Sequence, residues 1–206
     1  MSQFFAIHPD NPQPRLIVRA AEIIREGGVI AYPTDSCYAL GCRLGDKDAL
    51  ERIRRIRRMD KQHHLTLVCR DLKELSAYAR VANSAYRLLK HATPGPYTFI
   101  LPATKDAPKR LMHAKRKTIG LRVPDCRIAL ELAATLDEPI MSATLFLPGE
   151  PLPMTDAEDI RETLEHDLDA VIDGGHCGAE PTTIIDLTDD APVILRRGLG
   201  DPSLFE

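Results

Sequence analysis

Five consecutive residues, Thr34-Asp35-Ser36-Cys37-Tyr38, set a hydroxyl, a carboxylate, a second hydroxyl, a thiol and a phenol side by side. They follow an apolar run, Gly28-Val29-Ile30-Ala31, and Pro33, which cannot donate to a strand ladder. A segment that only had to turn would use Gly, Asn or Asp. Polar groups at a strand exit suit ligand binding, because open α/β sheets build their sites there. The competing reading is a turn in which Thr34 or Asp35 caps the next element. Asp35 has the chemistry of a general base, but no partner for it is visible in the sequence. Cys37 has the chemistry of a nucleophile, but no histidine is near it, and a small buried thiol is the commoner role.

A second cluster is cationic. Residues 52–61 read Arg-Ile-Arg-Arg-Ile-Arg-Arg-Met-Asp-Lys, with Ile53 and Ile56 facing a core and the arginines around the remaining circumference. Arg54 and Arg58 are four apart, as are Arg57 and Lys61, and like charges at that spacing repel. The pattern makes sense against bound anions, since the guanidinium fork matches phosphate and carboxylate. The plainer reading is a solvated face favoured by the helix C-terminal dipole. Lys105, Lys109, Arg110, His113, Lys115, Arg116 and Lys117 form a second basic region, suited to a polyanion such as RNA or to a solvated loop.

The elements that must position these groups alternate. Apolar spacing predicts helices over 15–26, 46–58 (with Asp46 as N-cap), 72–79, 84–91, 127–136 and 156–166. Strands are expected over 28–31, 65–69, 98–102, 118–123, 139–143, 170–172, 182–187 and 193–196. The last two strands follow each other with only a turn between. This predicts an α/β fold, a twisted open mixed sheet with flanking helices, in one domain spanning 1–206.

Composition excludes several classes. The chain has 206 residues, 44% hydrophobic and 28% charged, enough for a sizeable aliphatic core without Trp. Its five cysteines are scattered without a CxxC pair, against a tetrahedral zinc site. Adjacent His63 and His64 would point to opposite sides of extended chain and make a poor metal site. GxGxxG and GxxxxGK[ST] are missing, against Rossmann and P-loop nucleotide sites. With no leader-like segment and no membrane-length apolar run, the expectation is a cytoplasmic protein with reduced thiols and no membrane partner.

Seven segments taken in order resemble the YrdC/YciO/Sua family: Tyr32-Pro-Thr-Asp-Ser-Cys-Tyr-Ala-Leu-Gly, Pro94-Gly-Pro-Tyr-Thr, Gly120-Leu-Arg-Val-Pro, Pro139-Ile-Met-Ser-Ala-Thr, Asp173-Gly-Gly-His-Cys-Gly, Pro181-Thr-Thr-Ile-Ile-Asp and Leu195-Arg-Arg-Gly. The resemblance implies a YrdC-like domain with a concave basic groove. It also implies threonylcarbamoyl-adenylate synthase chemistry, which joins L-threonine, bicarbonate and ATP and releases pyrophosphate, feeding the t6A modification of tRNA. Mg²⁺ would accompany the ATP, with no protein-bound metal. Binding of double-stranded RNA or tRNA is implied as well.

Carried onto this sequence, Thr34, Arg122 and Thr182 would hold threonine. Ser142, Thr144 and Arg196 would line the nucleotide, as ATP or AMP. The Lys-x-Arg motif falls on Arg55-Ile56-Arg57, the pair implied to be catalytic, and Arg54, Arg58, Lys61, Lys115, Arg116 and Lys117 would meet RNA. Two positions depart from the pattern. Lysine has become Arg55, and the asparagine of Ser-x-Asn has become Thr144, which loses an amide. Both departures lie on the nucleotide side. Two alternatives to synthesis therefore stand: an RNA-binding protein without synthase activity, and an enzyme acting on threonylcarbamoyl groups already on tRNA.

Overall fold

The computed structural model describes residues 2–59, 65–113 and 115–206. The first half contains β1 (Gln3–Ala6), α1 (Pro14–Arg25), β2 (Ile30–Tyr32), β3 (Ala39–Cys42), α2 (Lys47–Arg57), β4 (Thr66–Val68), α3 (Leu72–Tyr78), α4 (Asn83–Ala92) and β5 (Tyr97–Pro102). The second contains β6 (Thr118–Arg122), α5 (Arg127–Leu136), β7 (Ile140–Thr144), α6 (Ala157–Leu164), β8 (Ala170–Asp173), β9 (Thr183–Asp186), β10 (Val193–Arg196) and a closing 3-10 turn, Pro202–Phe205. The strands join in one mixed sheet in the order β1-β8-β2-β3-β7-β4-β6-β5-β9-β10. The α/β expectation with an open mixed sheet is met.

Local chemistry explains most boundaries. Asp46 caps α2 as expected, its carboxylate accepting from the Asp48 and Ala49 amides at 3.0 and 2.9 Å. Pro14 opens α1 where a missing N–H costs nothing. Two strands escape the sequence reading. β3 is hidden in the tail of the polar signature, because all four of its residues are buried and show no alternation. β1 is a short edge strand beside β8. The expected strand at 28–31 slides to Ile30–Tyr32, because the Val29 amide donates instead to the Asp169 carboxylate at 2.7 Å.

Sheet alternation decides where a site can form. One face carries Leu67, Phe99, Leu121, Met141 and Ile185 into a core completed by α2, α4 and α6. The other face is apolar at one end, where Ile30, Tyr32, Ile140 and Ile172 pack under α1 and α5. At its opposite end the same face presents Ser142, Thr66, Arg122, Gly120, Thr118 and Thr98. These small and polar residues floor a trough.

Candidate functional site

A cavity of about 170 Å³ opens at this end of the sheet. Its floor is Thr66, Thr98, Arg122, Ser142, Thr144 and Ile184. Thr34, Cys37 and Ala39 bound one side, and Arg57, Phe146, Thr182 and Arg196 bound the others. Six of the residues singled out from sequence as threonine- or nucleotide-binding, Thr34, Arg122, Thr182, Ser142, Thr144 and Arg196, therefore converge on one cavity. Five of the seven quoted segments supply them, from strands and from the loops that flank them.

The opening loop holds itself in shape and presents groups to the cavity. Thr34 Oγ1 donates to the Cys37 carbonyl at 2.7 Å and accepts from the Ser36 and Cys37 amides, both at 3.2 Å. This is the turn-forming use of a hydroxyl. The turn reading holds, and the same residue lines the cavity. Asp35 has a partner the sequence did not disclose: its carboxylate binds the Arg122 guanidinium and accepts from the Asp125 amide at 2.9 Å. Both side chains of this ion pair are 8% exposed. Arg122 also reaches Ser36 Oγ at 3.4 Å, while its buried Nε has no partner.

Arg196 arrives by a backbone irregularity. In the antiparallel β9–β10 pair, Val193 sits opposite Asp186 and Ile194 opposite Ile185, yet Arg196 sits opposite Ile184. Leu195 is the extra residue of a β-bulge. It shifts the alternation by one, so Arg196 joins the cavity face instead of the core face. Its guanidinium donates to the Thr182 carbonyl at 2.7 and 3.1 Å and to Thr182 Oγ1 at 3.2 Å. Thr182 Oγ1 also meets Thr98 Oγ1 at 2.9 Å. Burial lowers the Arg196 pKa below its ordinary value, and the nearby Arg122 charge lowers it further.

Of the Arg55-Ile56-Arg57 motif, only Arg57 reaches the cavity wall. Its guanidinium lies over the Phe146 ring, 5.4 Å from the centroid, and its buried Nε is unpartnered. Burial lowers its pKa too. Arg55 is 70% exposed and faces Asp167 at 3.8 Å. The physical reason is helical: residues two apart project about 200° from each other and cannot share one wall. Arg55 does not line the cavity in this structure and makes a surface ion pair instead.

Ser142 is held from below. Its Oγ donates to the Leu40 carbonyl at 3.2 Å, so the Tyr32 hydroxyl, 2.7 Å away, donates to Ser142. Burial raises the Tyr32 pKa well above the usual phenol range, leaving it a neutral donor. Tyr32→Phe is expected to cost about 1 kcal/mol in urea unfolding, the value of one neutral hydrogen bond, because Ser142 keeps its bond to Leu40. Burial pushes the Cys37 thiol up to about 11, so at neutral pH it is a thiol lining the wall and a poor nucleophile.

The residues read as RNA-facing are dispersed. Arg54 is mostly buried, with Nη1 on Glu51 at 2.7 Å. Arg58 closes α2 in the left-handed region at φ 48° and is exposed. Lys61, like His63 and His64, lies outside the described residues. Lys115, Arg116 and Lys117 are exposed in a turn in which His113 Nδ1 accepts the amides of Lys115 and Arg116 at 3.3 and 3.1 Å. Sequence reasoning missed Thr66, Thr98 and Phe146 as lining residues. Strand alternation offered a signal for Thr98 and Thr66, but none existed for Phe146. Among the described residues no group of His, Cys, Asp and Glu could hold a metal ion, and no helix is long and apolar enough to cross a membrane.

This is an α/β protein whose open sheet face carries an arginine-lined cavity. Comparison with known proteins agrees on the fold. The Sua5/YciO/YrdC family model, described as "Telomere recombination", matches residues 22–198, and the chain belongs to that family. The crystal structure of YciO from Escherichia coli superposes with a TM-score of 0.96 at 57% identity over the whole of both chains. The threonylcarbamoyl-AMP synthase of Bacillus subtilis is 33% identical over 191 residues, 92% of this chain and 54% of the synthase. Sua5 of Pyrococcus abyssi, solved in complex with L-threonine, superposes with a TM-score of 0.87 at 30% identity, covering 96% of this chain and 58% of Sua5. The chain thus spans a little over half the length of each of these last two proteins.

Proposed function

We propose that the cavity binds a ligand carrying both a carboxylate and a phosphate, and that its chemistry is of the threonylcarbamoyl-AMP synthase type, serving t6A modification of tRNA in the cytoplasm. One observation carries this. Three guanidinium groups, Arg57, Arg122 and Arg196, surround one cavity, and among the described residues only Arg122 has a carboxylate partner. Among the described residues half-buried Arg57 has no counter-charge and exposed Arg196 adds a second unneutralised cation at the cavity, so a polyanionic ligand suits both. Arg122, Thr34 and Thr182 would take the L-threonine end, and Ser142, Thr144, Arg57 and Arg196 the ATP or AMP end. The threonine amine would add to bicarbonate with loss of water, and an oxygen of the resulting carbamate would attack the ATP α-phosphorus, breaking its bond to the departing pyrophosphate.

No covalent nucleophile is needed. Positioning and stabilisation of phosphate charge by the arginines would supply the rate. The lining offers hydroxyls and guanidinium groups, so Mg²⁺ would enter on the triphosphate as part of the substrate. Pyrophosphate release from ATP that requires both threonine and bicarbonate tests the reading; release independent of either sinks it. Thr144→Asn, which restores an amide at the nucleotide wall, is expected to raise that rate about tenfold. Arg55→Lys should leave the rate unchanged, because Arg55 lies outside the cavity. A Thr144→Asn protein no faster than the parent would mean that this position does not limit the reaction.

A second reading has its own observation. The exposed Lys115-Arg116-Lys117 turn leads directly into β6, the strand that carries Arg122 to the cavity. RNA resting there could bring a threonylcarbamoyl group on tRNA to the cavity for removal or transfer. Binding of a tRNA anticodon stem-loop that falls steeply with salt is its signature.

A further inference from the structure

The trough does not end at the cavity. Farther along the same sheet face lies a second depression of about 180 Å³, lined by Ile100, Thr118, Gly120, Asp186 and Leu195, with Arg116 at its rim. Gly120 leaves the floor open between the two. A Cβ there would stand 3.4 Å from Thr66 Oγ1 and 3.5 Å from Ile100 Cδ1, in ordinary contact, so packing does not require the glycine.

The chemistry of this depression is specific. Ile100 and Leu195 give it apolar walls, and Leu195, the extra residue of the edge-strand bulge, is 55% exposed. Asp186 has one satisfied oxygen: Oδ1 accepts from the Thr188 amide at 2.9 Å and the Thr188 hydroxyl at 2.6 Å. Its other oxygen makes a long ion pair with Arg116 Nη1 at 4.0 Å, too far for a hydrogen bond, on a side chain only 12% exposed. An apolar slot with one aimed acceptor suits a flat heterocycle bearing an N–H edge. The guanidinium and ammonium groups of Lys115, Arg116 and Lys117 beside it suit the phosphates that such a base would carry.

We propose that the second depression is a nucleobase subsite for an RNA strand. An unstacked base would lie against Leu195 and Ile100 and donate an exocyclic amino hydrogen to Asp186 Oδ2, while the basic turn holds the flanking phosphates. Adenine, cytosine and guanine carry such an amino group. Uracil can also donate to that oxygen, from N3–H, so the subsite selects an N–H-bearing base edge and does not exclude one base. The inference rests on the RNA reading above. It adds a place for a base outside the arginine-lined cavity.

The test uses the full chain and a tRNA anticodon stem-loop with a fluorescent adenine analogue substituted in turn at each loop position. One position should brighten on binding as its base leaves the stack. Leu195→Ala should abolish that signal and weaken binding about tenfold. Asp186→Asn, which exchanges the carboxylate for a weaker neutral acceptor, should lower affinity about fivefold. The double variant Lys115→Ala/Lys117→Ala should weaken all sequences alike and reduce the salt slope. Circular dichroism checks that each variant folds, which is expected for Leu195→Ala because its side chain is half in solvent. Full affinity and an intact signal in both Leu195→Ala and Asp186→Asn, with loss only in the lysine variant, would overturn the subsite and leave the RNA reading standing. Absence of stem-loop binding by the unaltered protein would overturn both.

Discussion

Replacing Arg122 by leucine is expected to lower stability by about 3–5 kcal/mol, the cost of stranding one member of a buried ion pair. The stranded group is Asp35, whose carboxylate is as buried as its partner and, among the described residues, keeps only the Asp125 amide as a donor. Urea unfolding should show a lower midpoint at an unchanged slope. Pairing the change with Asp35→Asn should recover most of the loss. The amide still accepts from Asp125, and no charge is left in the interior. A double variant no more stable than Arg122→Leu alone would mean that the arginine acts through packing and not through its charge. Under the proposed function the two stability phenotypes share one binding phenotype. Neither variant retains the guanidinium fork, so both should lose about a hundredfold in affinity for L-threonine by calorimetry.

That ion pair also marks where the sequence stops being readable. Asp35 and Arg122 lie 87 positions apart, and nothing local announces that their strand ends meet. The helices were legible because each shows an apolar stripe and, for α2, a capping aspartate. The strands of the central sheet were legible where turns and prolines bound them. β3 was not, since a strand buried on both faces has no alternation to detect. The cavity residues were legible through a family resemblance, but their orientations were not. Arg196 faces the cavity only because of the bulge at Leu195, which no residue type forecasts. Arg55 is the opposite case: helical geometry alone places it opposite Arg57, and a motif read as a linear string conceals that.

Arg57 should show the reverse of the Arg122 result. Among the described residues it makes no hydrogen bond or ion pair to protein, its Nε is buried and unpartnered, and burial lowers its pKa. Only the face of Phe146 offsets that cost. An arginine still cationic at neutral pH in that position strains the folded state until an anion arrives. Arg57→Met keeps an unbranched stem against Phe146 and removes the desolvated charge, so it is expected to raise stability by about 1 kcal/mol in urea unfolding. The same change should weaken binding of ATP or AMP by about ten- to a hundredfold, the value of one hydrogen bond to a charged group. Added nucleotide should then stabilise the parent protein more than the variant, and at saturating ligand the order of stability should invert. An Arg57→Met protein that is less stable than the parent without ligand would show that the guanidinium is held by the fold itself. In that case the charge excess in the cavity would no longer argue for a phosphate.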